Sequence, residues 1–173
     1  MTQQTVAVGP HDHVQGDEQA PLTLIEYGDY ECPYCGAAYP IVKAVQKHFG
    51  KRLRFVFRNF PLSQLHPHAE LAAEAAESAE AEGKFWLMHD YLFEHQRALQ
   101  LDDLLTYATR LRLDARRVAV ELENRLHFPR VRQDVMSGVR SGVNGTPTFF
   151  INGQRHDDAW DEAGLVTALN RIA

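Results

Sequence analysis

The stretch Leu22-Thr23-Leu24-Ile25-Glu26-Tyr27-Gly28-Asp29-Tyr30-Glu31-Cys32-Pro33-Tyr34-Cys35 changes period in its middle. Leu22 to Tyr27 is a continuous apolar and β-branched run broken by one carboxylate, as expected of a central strand buried on both faces. Gly28-Asp29 marks a turn. From Pro33 onward, Ala37, Ala38, Ile41, Val42, Val45 and Phe49 recur at helical spacing, and Gly50 supplies a stop. Pro40 removes one backbone donor from that helix and predicts a kink. Strand, turn and helix therefore follow one another, with two cysteines at the turn.

Those are the only cysteines in 173 residues. A stapled secreted domain uses several dispersed cysteines, so one C-x-x-C pair points to redox chemistry or to half of a metal site. At the start of a helix, free backbone N–H groups and the helix dipole favour a thiolate, which makes Cys32 the expected nucleophile. Cys35, one turn inward, is the expected resolving thiol. Pro33 suits the first helical position because its missing N–H is not needed there, and Tyr34 can tune the pair. A tetrahedral zinc site needs two further ligands. His11, His13, His66 and His68 are available, but each reads first as a solvated, capping or packing residue.

Working outward, residues 1–20 are polar, with an apolar patch at Val6 to Val8, and read as an extended arm carrying one edge strand. Leu53 to Phe60 alternates, with Leu53, Phe55 and Phe57 on one face and Arg52, Arg54 and Arg58 on or near the other. From His68 to Val143 the pattern is helical. Leu71, Ala72, Ala75, Ala76 and Ala79 make a small-residue stripe opposite a Glu-rich face. Four more helices follow around Phe85 to Leu92, around Leu101 to Leu111, after an Asp114 cap, and after Pro129. Thr148-Phe149-Phe150-Ile151 is again a strand, Asn152-Gly153 a hairpin turn, and Leu165, Val166, Leu169 and Ile172 the stripe of a terminal helix. The expected fold is α/β: a mixed sheet assembled from 1–66 and 144–173, with an all-helical lobe, 67–143, inserted between.

Glu26 interrupts the most apolar strand. Buried, its carboxyl would carry a raised pKa and exchange protons with Cys35; turned to solvent or paired with an arginine, it would be structural. In Gly145-Thr146-Pro147-Thr148, a cis bond would bring backbone toward a substrate, although most X-Pro bonds are trans. Thr146 would then offer its N–H and C=O to an extended peptide.

Together these motifs resemble the DsbA-like branch of the thioredoxin superfamily. The resemblance rests on Glu26 in its strand, Cys32-Pro33-Tyr34-Cys35, a helical insertion, and Val143-Asn144-Gly145-Thr146-Pro147-Thr148-Phe149-Phe150-Ile151-Asn152-Gly153, spanning roughly residues 12–173. It implies a thioredoxin-like mixed sheet, a cis Pro147 beside the substrate region, an exposed nucleophilic Cys32, a resolving Cys35, and Glu26 as the buried acid. The implied activity is thiol–disulfide exchange through a mixed disulfide at Cys32, with no cofactor. Partners would be protein or peptide thiols and disulfides, with thioredoxin or glutathione as redox partner. The Pro-Tyr dipeptide also resembles that of glutaredoxins. Glutathione-linked oxidoreduction or isomerisation is therefore one alternative, and a non-enzymatic redox-sensing interaction module another.

The formal net charge of −5 gives no support to a nucleic-acid role. No run of about 18 apolar residues predicts a membrane span. The opening Met1 to Pro10 lacks the basic start and apolar core of a secretory signal, which reads as cytoplasmic residence; a replaced leader would look the same.

Overall fold

The computed structural model describes residues 7–173. Strands β1 (His13–Gln15), β2 (Leu22–Gly28), β3 (Leu53–Asn59), β4 (Thr148–Ile151) and β5 (Gln154–His156) form one sheet in the order β1-β3-β2-β4-β5. The pairing of β2 with β3 is parallel and the other three are antiparallel, so the sheet is mixed. The parallel pair is joined through α1 (Pro33–Phe49), and Gly50, at φ 54°, ends that helix. Helix α1 runs through Pro40.

The apolar run of β2 puts it mid-sheet, with all seven residues buried. Its two faces enter different cores, as the two-residue period requires. Leu22 and Leu24 join Leu53, Phe55, Phe57, Phe149 and Ile151 beneath α1 and the helical insertion. Ile25 and Tyr27 join Val56, Phe60 and Phe150 on the opposite face.

Five helices lie between β3 and β4: α2 (Ala69–Glu80), α3 (Phe85–Glu94), α4 (Leu101–Arg110), α5 (Ala115–Glu123) and α6 (Phe128–Arg140). Asp114 caps α5 by accepting from the N–H groups of Arg116 and Arg117, and Pro129 stands in the first turn of α6. Asn152 and Gly153 turn the β4–β5 hairpin with φ of 45° and 83°. Helix α7 (Glu162–Asn170) buries Leu165 and Leu169. Among the described residues, no helix is long and apolar enough to cross a membrane.

The arm carries its edge strand at His13–Gln15, and Val8 packs against the second core; Val6 lies outside the described residues. Other expectations need correction. Arg58, expected on a solvated face, is buried because Asp12 reaches it from the arm, at 2.9 Å to Nε, and it donates to the Tyr27 hydroxyl at 2.8 Å. The Glu-rich face of α2 also turns inward. Glu74 pairs with Arg125, and Glu77 accepts from His13 Nε2 at 2.9 Å and from Asn59 Nδ2 at 2.8 Å. Ile172 lies past the end of α7 and is exposed.

Candidate active site

The turn after β2 is built around the Asp29 carboxylate. Oδ1 accepts the N–H groups of Glu31 at 2.7 Å and Cys32 at 3.1 Å, which fixes Cys32 as the N-cap of α1 with Pro33 next. From the insertion, Gln96 Nε2 donates to the carbonyls of Tyr30 and Cys32, both at 2.9 Å. Position 36 must be glycine for this clamp, since a Cβ there would lie 2.0 Å from Gln96 Oε1. Below it, the Tyr30 hydroxyl bonds His89 Nδ1 at 3.0 Å, and burial holds His89 neutral by pushing its pKa well down.

The two sulfurs sit in opposite environments. The pKa of Cys32 is lowered to about 5, chiefly by a hydrogen bond from the Cys35 thiol. Burial opposes this; the Thr146 side chain and the backbone N–H groups of Cys35 and Tyr34 add to it. The helix-start donors expected from sequence thus contribute, behind the partner thiol. Burial pushes Cys35 well above an ordinary thiol, and its role as donor to Cys32 pushes it further. The Asp29 N–H is its backbone partner at 3.4 Å. Cys32 is not freely exposed as the resemblance implied: it retains 3% of its surface against 0% for Cys35. Tyr34, by contrast, is 68% exposed.

The loop before β4 reaches the pair from 114 residues away, placing the Thr146 carbonyl 3.6 Å from Cys32 Sγ. The Thr146–Pro147 peptide bond is cis, and Thr148 Oγ1 donates to the Gly145 carbonyl at 2.7 Å, tying the loop to the strand. Glu26 is 2% exposed, and its Oε1 has no hydrogen-bond partner among the described residues. Burial, then the nearby Cys32 charge, raises its pKa to about 8. A cavity of about 10 Å³ joins Glu26 to Lys43, Gln46 and Gln15, enough for one water.

The structure therefore gathers Glu26, Cys32, Pro33, Tyr34, Cys35, Thr146 and Pro147 at one end of the sheet. Reading the sequence alone did not assign Asp29, Gln96 or His89 to this site. Asp29 carried a signal in the Gly-Asp turn; Gln96 and His89 carried none, because their contacts cross some sixty residues. The four histidines considered for zinc do not converge. His13 bonds Glu77, His66 bonds Asp29, His68 bonds Glu31, and His11 is exposed. Among the described residues, no group of three or more His, Cys, Asp or Glu is arranged to hold a metal ion.

A family model described as Thioredoxin matches residues 9–171. A segment of the Na(+)/H(+) antiporter NhaA 1 of Salinispora arenicola is 47% identical over 165 residues, covering 95% of this chain and 25% of that protein. The chain thus spans about a quarter of the length of the curated relatives it matches. A thioredoxin-like oxidoreductase from Silicibacter pomeroyi superposes with a TM-score of 0.83 at 26% identity, covering 94% of this chain and 92% of that one. Alpha-DsbA1 of Wolbachia pipientis shares the fold at a TM-score of 0.85 and 17% identity, covering 99% and 96%.

Proposed function

The chain belongs to the thioredoxin family, in its DsbA-like branch of thiol–disulfide oxidoreductases, and on that premise we propose that it exchanges disulfides with protein thiols through a mixed disulfide at Cys32. The observation that carries this reading is the opposed chemistry of the pair: Cys32 is held down to about 5 while Cys35 is pushed up.

In the oxidising direction, a client thiolate attacks Sγ of Cys32 and the Cys32–Cys35 bond breaks. Cys35 leaves as a thiolate and takes a proton from Glu26. A second client thiolate then attacks the client sulfur of the mixed disulfide, and Cys32 leaves with the electron pair. In the reducing direction Cys35 returns its proton to Glu26 as it attacks Cys32. A carboxyl near 8 can serve both directions around neutral pH. The cavity toward Lys43 and Gln46 supports proton exchange between Glu26 and solvent.

Thr146 supports client docking in the same step. Its carbonyl accepts from the Cys32 thiol, so ionisation of Cys32 releases that carbonyl for the N–H of an extended client peptide, with Pro147 holding the backbone in reach. A dithiol stabilised by an acidic thiolate raises the reduction potential, so oxidation of clients is the favoured direction. Cytoplasmic residence would hold the pair in a reducing pool; fractionation combined with the in-cell redox state of Cys32 and Cys35 tests it. Antiport belongs to the named function of the longer relatives and has no counterpart in this site; the shared segment reads as a redox module.

Cys35→Ser should accumulate covalent client adducts at Cys32. Failure to trap adducts, together with no exchange by the unmodified protein, contradicts the reading. Glutathione-dependent turnover that survives Cys35→Ser would favour the glutathione-linked alternative, whereas client binding that survives loss of both thiols, without turnover, would favour a sensing module.

A further inference from the structure

The redox turn is fastened to the loop after β3 by two carboxylate–histidine pairs with matching spacing. Asp29-Tyr30-Glu31 faces His66-Pro67-His68: His66 Nδ1 lies 2.8 Å from Asp29 Oδ2, and His68 Nδ1 lies 2.8 Å from Glu31 Oε1. The His68 N–H also donates to Glu31, at 2.7 Å.

The Asp29 pair differs in kind because its carboxylate, 0% exposed, is shared with the nucleophile. One oxygen accepts the Cys32 N–H at 3.1 Å; the other accepts the Leu62 N–H at 2.8 Å and meets His66. The His66 ring is thereby aimed through Nδ1. Nε2 has no hydrogen-bond partner among the described residues, and 19% of the side chain remains exposed. The Pro33-Tyr34 dipeptide supplies no positive charge to the thiolate, and His66 is the histidine that the shared carboxylate ties to it.

We propose that His66, oriented by Asp29, is a positioning residue whose positive charge stabilises the Cys32 thiolate. The groups facing it are Asp29, Glu31 and Cys32. Burial opposes protonation of His66, but the Asp29 bond and charge outweigh it, with Cys32 and Glu31 adding in the same direction, so its pKa is raised. A histidinium near a thiolate across a partly wet surface should shift each group by about 0.5 to 1 unit. The coupling must be reciprocal, because the free energy belongs to the pair.

The test uses the whole chain, reduced, in two arms. His66→Asn keeps an N–H donor toward Asp29 but cannot become cationic. Its thiolate absorbance midpoint should rise by about 0.5 to 1 unit, leaving alkylation of Cys32 about 2- to 5-fold slower near pH 5 and unchanged near pH 9. In the second arm, NMR titration of His66 in Cys32→Ser should show its midpoint falling by the same amount relative to the unmodified protein, independently of whether His66→Asn folds. An unchanged His66 titration in Cys32→Ser overturns the proposal, as does an unchanged thiolate midpoint in folded His66→Asn. The inference rests on the Cys32 thiolate of the proposed function. If Cys32 of the unmodified protein titrates near 8.5 that reading fails, whereas a midpoint near 5 with no His66 coupling defeats this inference alone.

Discussion

Glu26 and Glu77 are the same residue type at similar burial, 2% and 5% exposed, yet the fold treats them oppositely. Glu26 lies on β2 beneath α1 with one oxygen unpartnered, and burial raises its pKa to about 8. Glu77 lies on α2 where it meets the β1 edge. Burial would raise it too, but the bond from His13, with help from Arg130 and Asn59, pulls it below the usual carboxylate range. Burial alone is thus not the message; the partner decides. A buried carboxyl with partners ties the helical insertion to the sheet, and one without partners is held where its proton can be used.

The most destructive way to break this contrast is Glu77→Ala. It removes from that seam the acceptor of His13 Nε2 and one of the two acceptors of the Asn59 amide, which keeps Asp134 at 3.2 Å, and should destabilise the fold by about 3 kcal/mol in chemical denaturation. The Cys32 thiolate midpoint should stay in place. A shift there would mean that the seam and the redox end are one electrostatic unit.

Glu26→Gln should do the reverse. With a folded pKa of about 8 against 4.5 unfolded, the native state holds the extra proton between those values, so Glu26 lowers stability as pH rises through that window. Glutamine removes the penalty: no gain near pH 4, growing to about 4 kcal/mol by pH 8. Resolution of the mixed disulfide should slow by about 10-fold near neutral pH. A pH-independent stability change would show that Glu26 is paired in solution. For Glu77 the sign is opposite: its contribution is present above the ordinary carboxylate pKa and is lost as pH falls through the lowered one.

The smallest effect belongs to Gln96→Ala, which removes two donors from the redox turn while leaving both carboxyls untouched. A loss of about 1 kcal/mol in denaturation is expected. A loss of 3 kcal/mol or more would place Gln96 among the structural ties of the seam.

What the sequence revealed divides along the same contrast. Elements specified by local pattern were legible: the apolar run of β2, the Pro33 start and Gly50 stop of α1, the Asp114 cap, and the Asn152-Gly153 hairpin. The chemistry of Cys32 and Cys35 was legible for the same reason, since a helix start and a two-residue spacing are local. Long-range partnerships were hidden. Arg58 read as a solvated strand residue because its partner, Asp12, is 46 positions away in the arm. Glu77 read as a helix surface because His13 lies 64 positions away. Asp29 read as a turn residue because His66 enters from beyond the next strand. Periodicity reports which face a residue is on, not which charge will meet it there.

The central claim is that the fold makes the two thiols chemically unequal, and residue-resolved alkylation across pH tests it most directly. With the reduced chain pulse-labelled from pH 3 to 9 and each cysteine read by mass spectrometry, Cys32 should react with a midpoint of about 5, while Cys35 stays protected throughout. Equal labelling of both cysteines with a common midpoint near 8.5 would contradict the account.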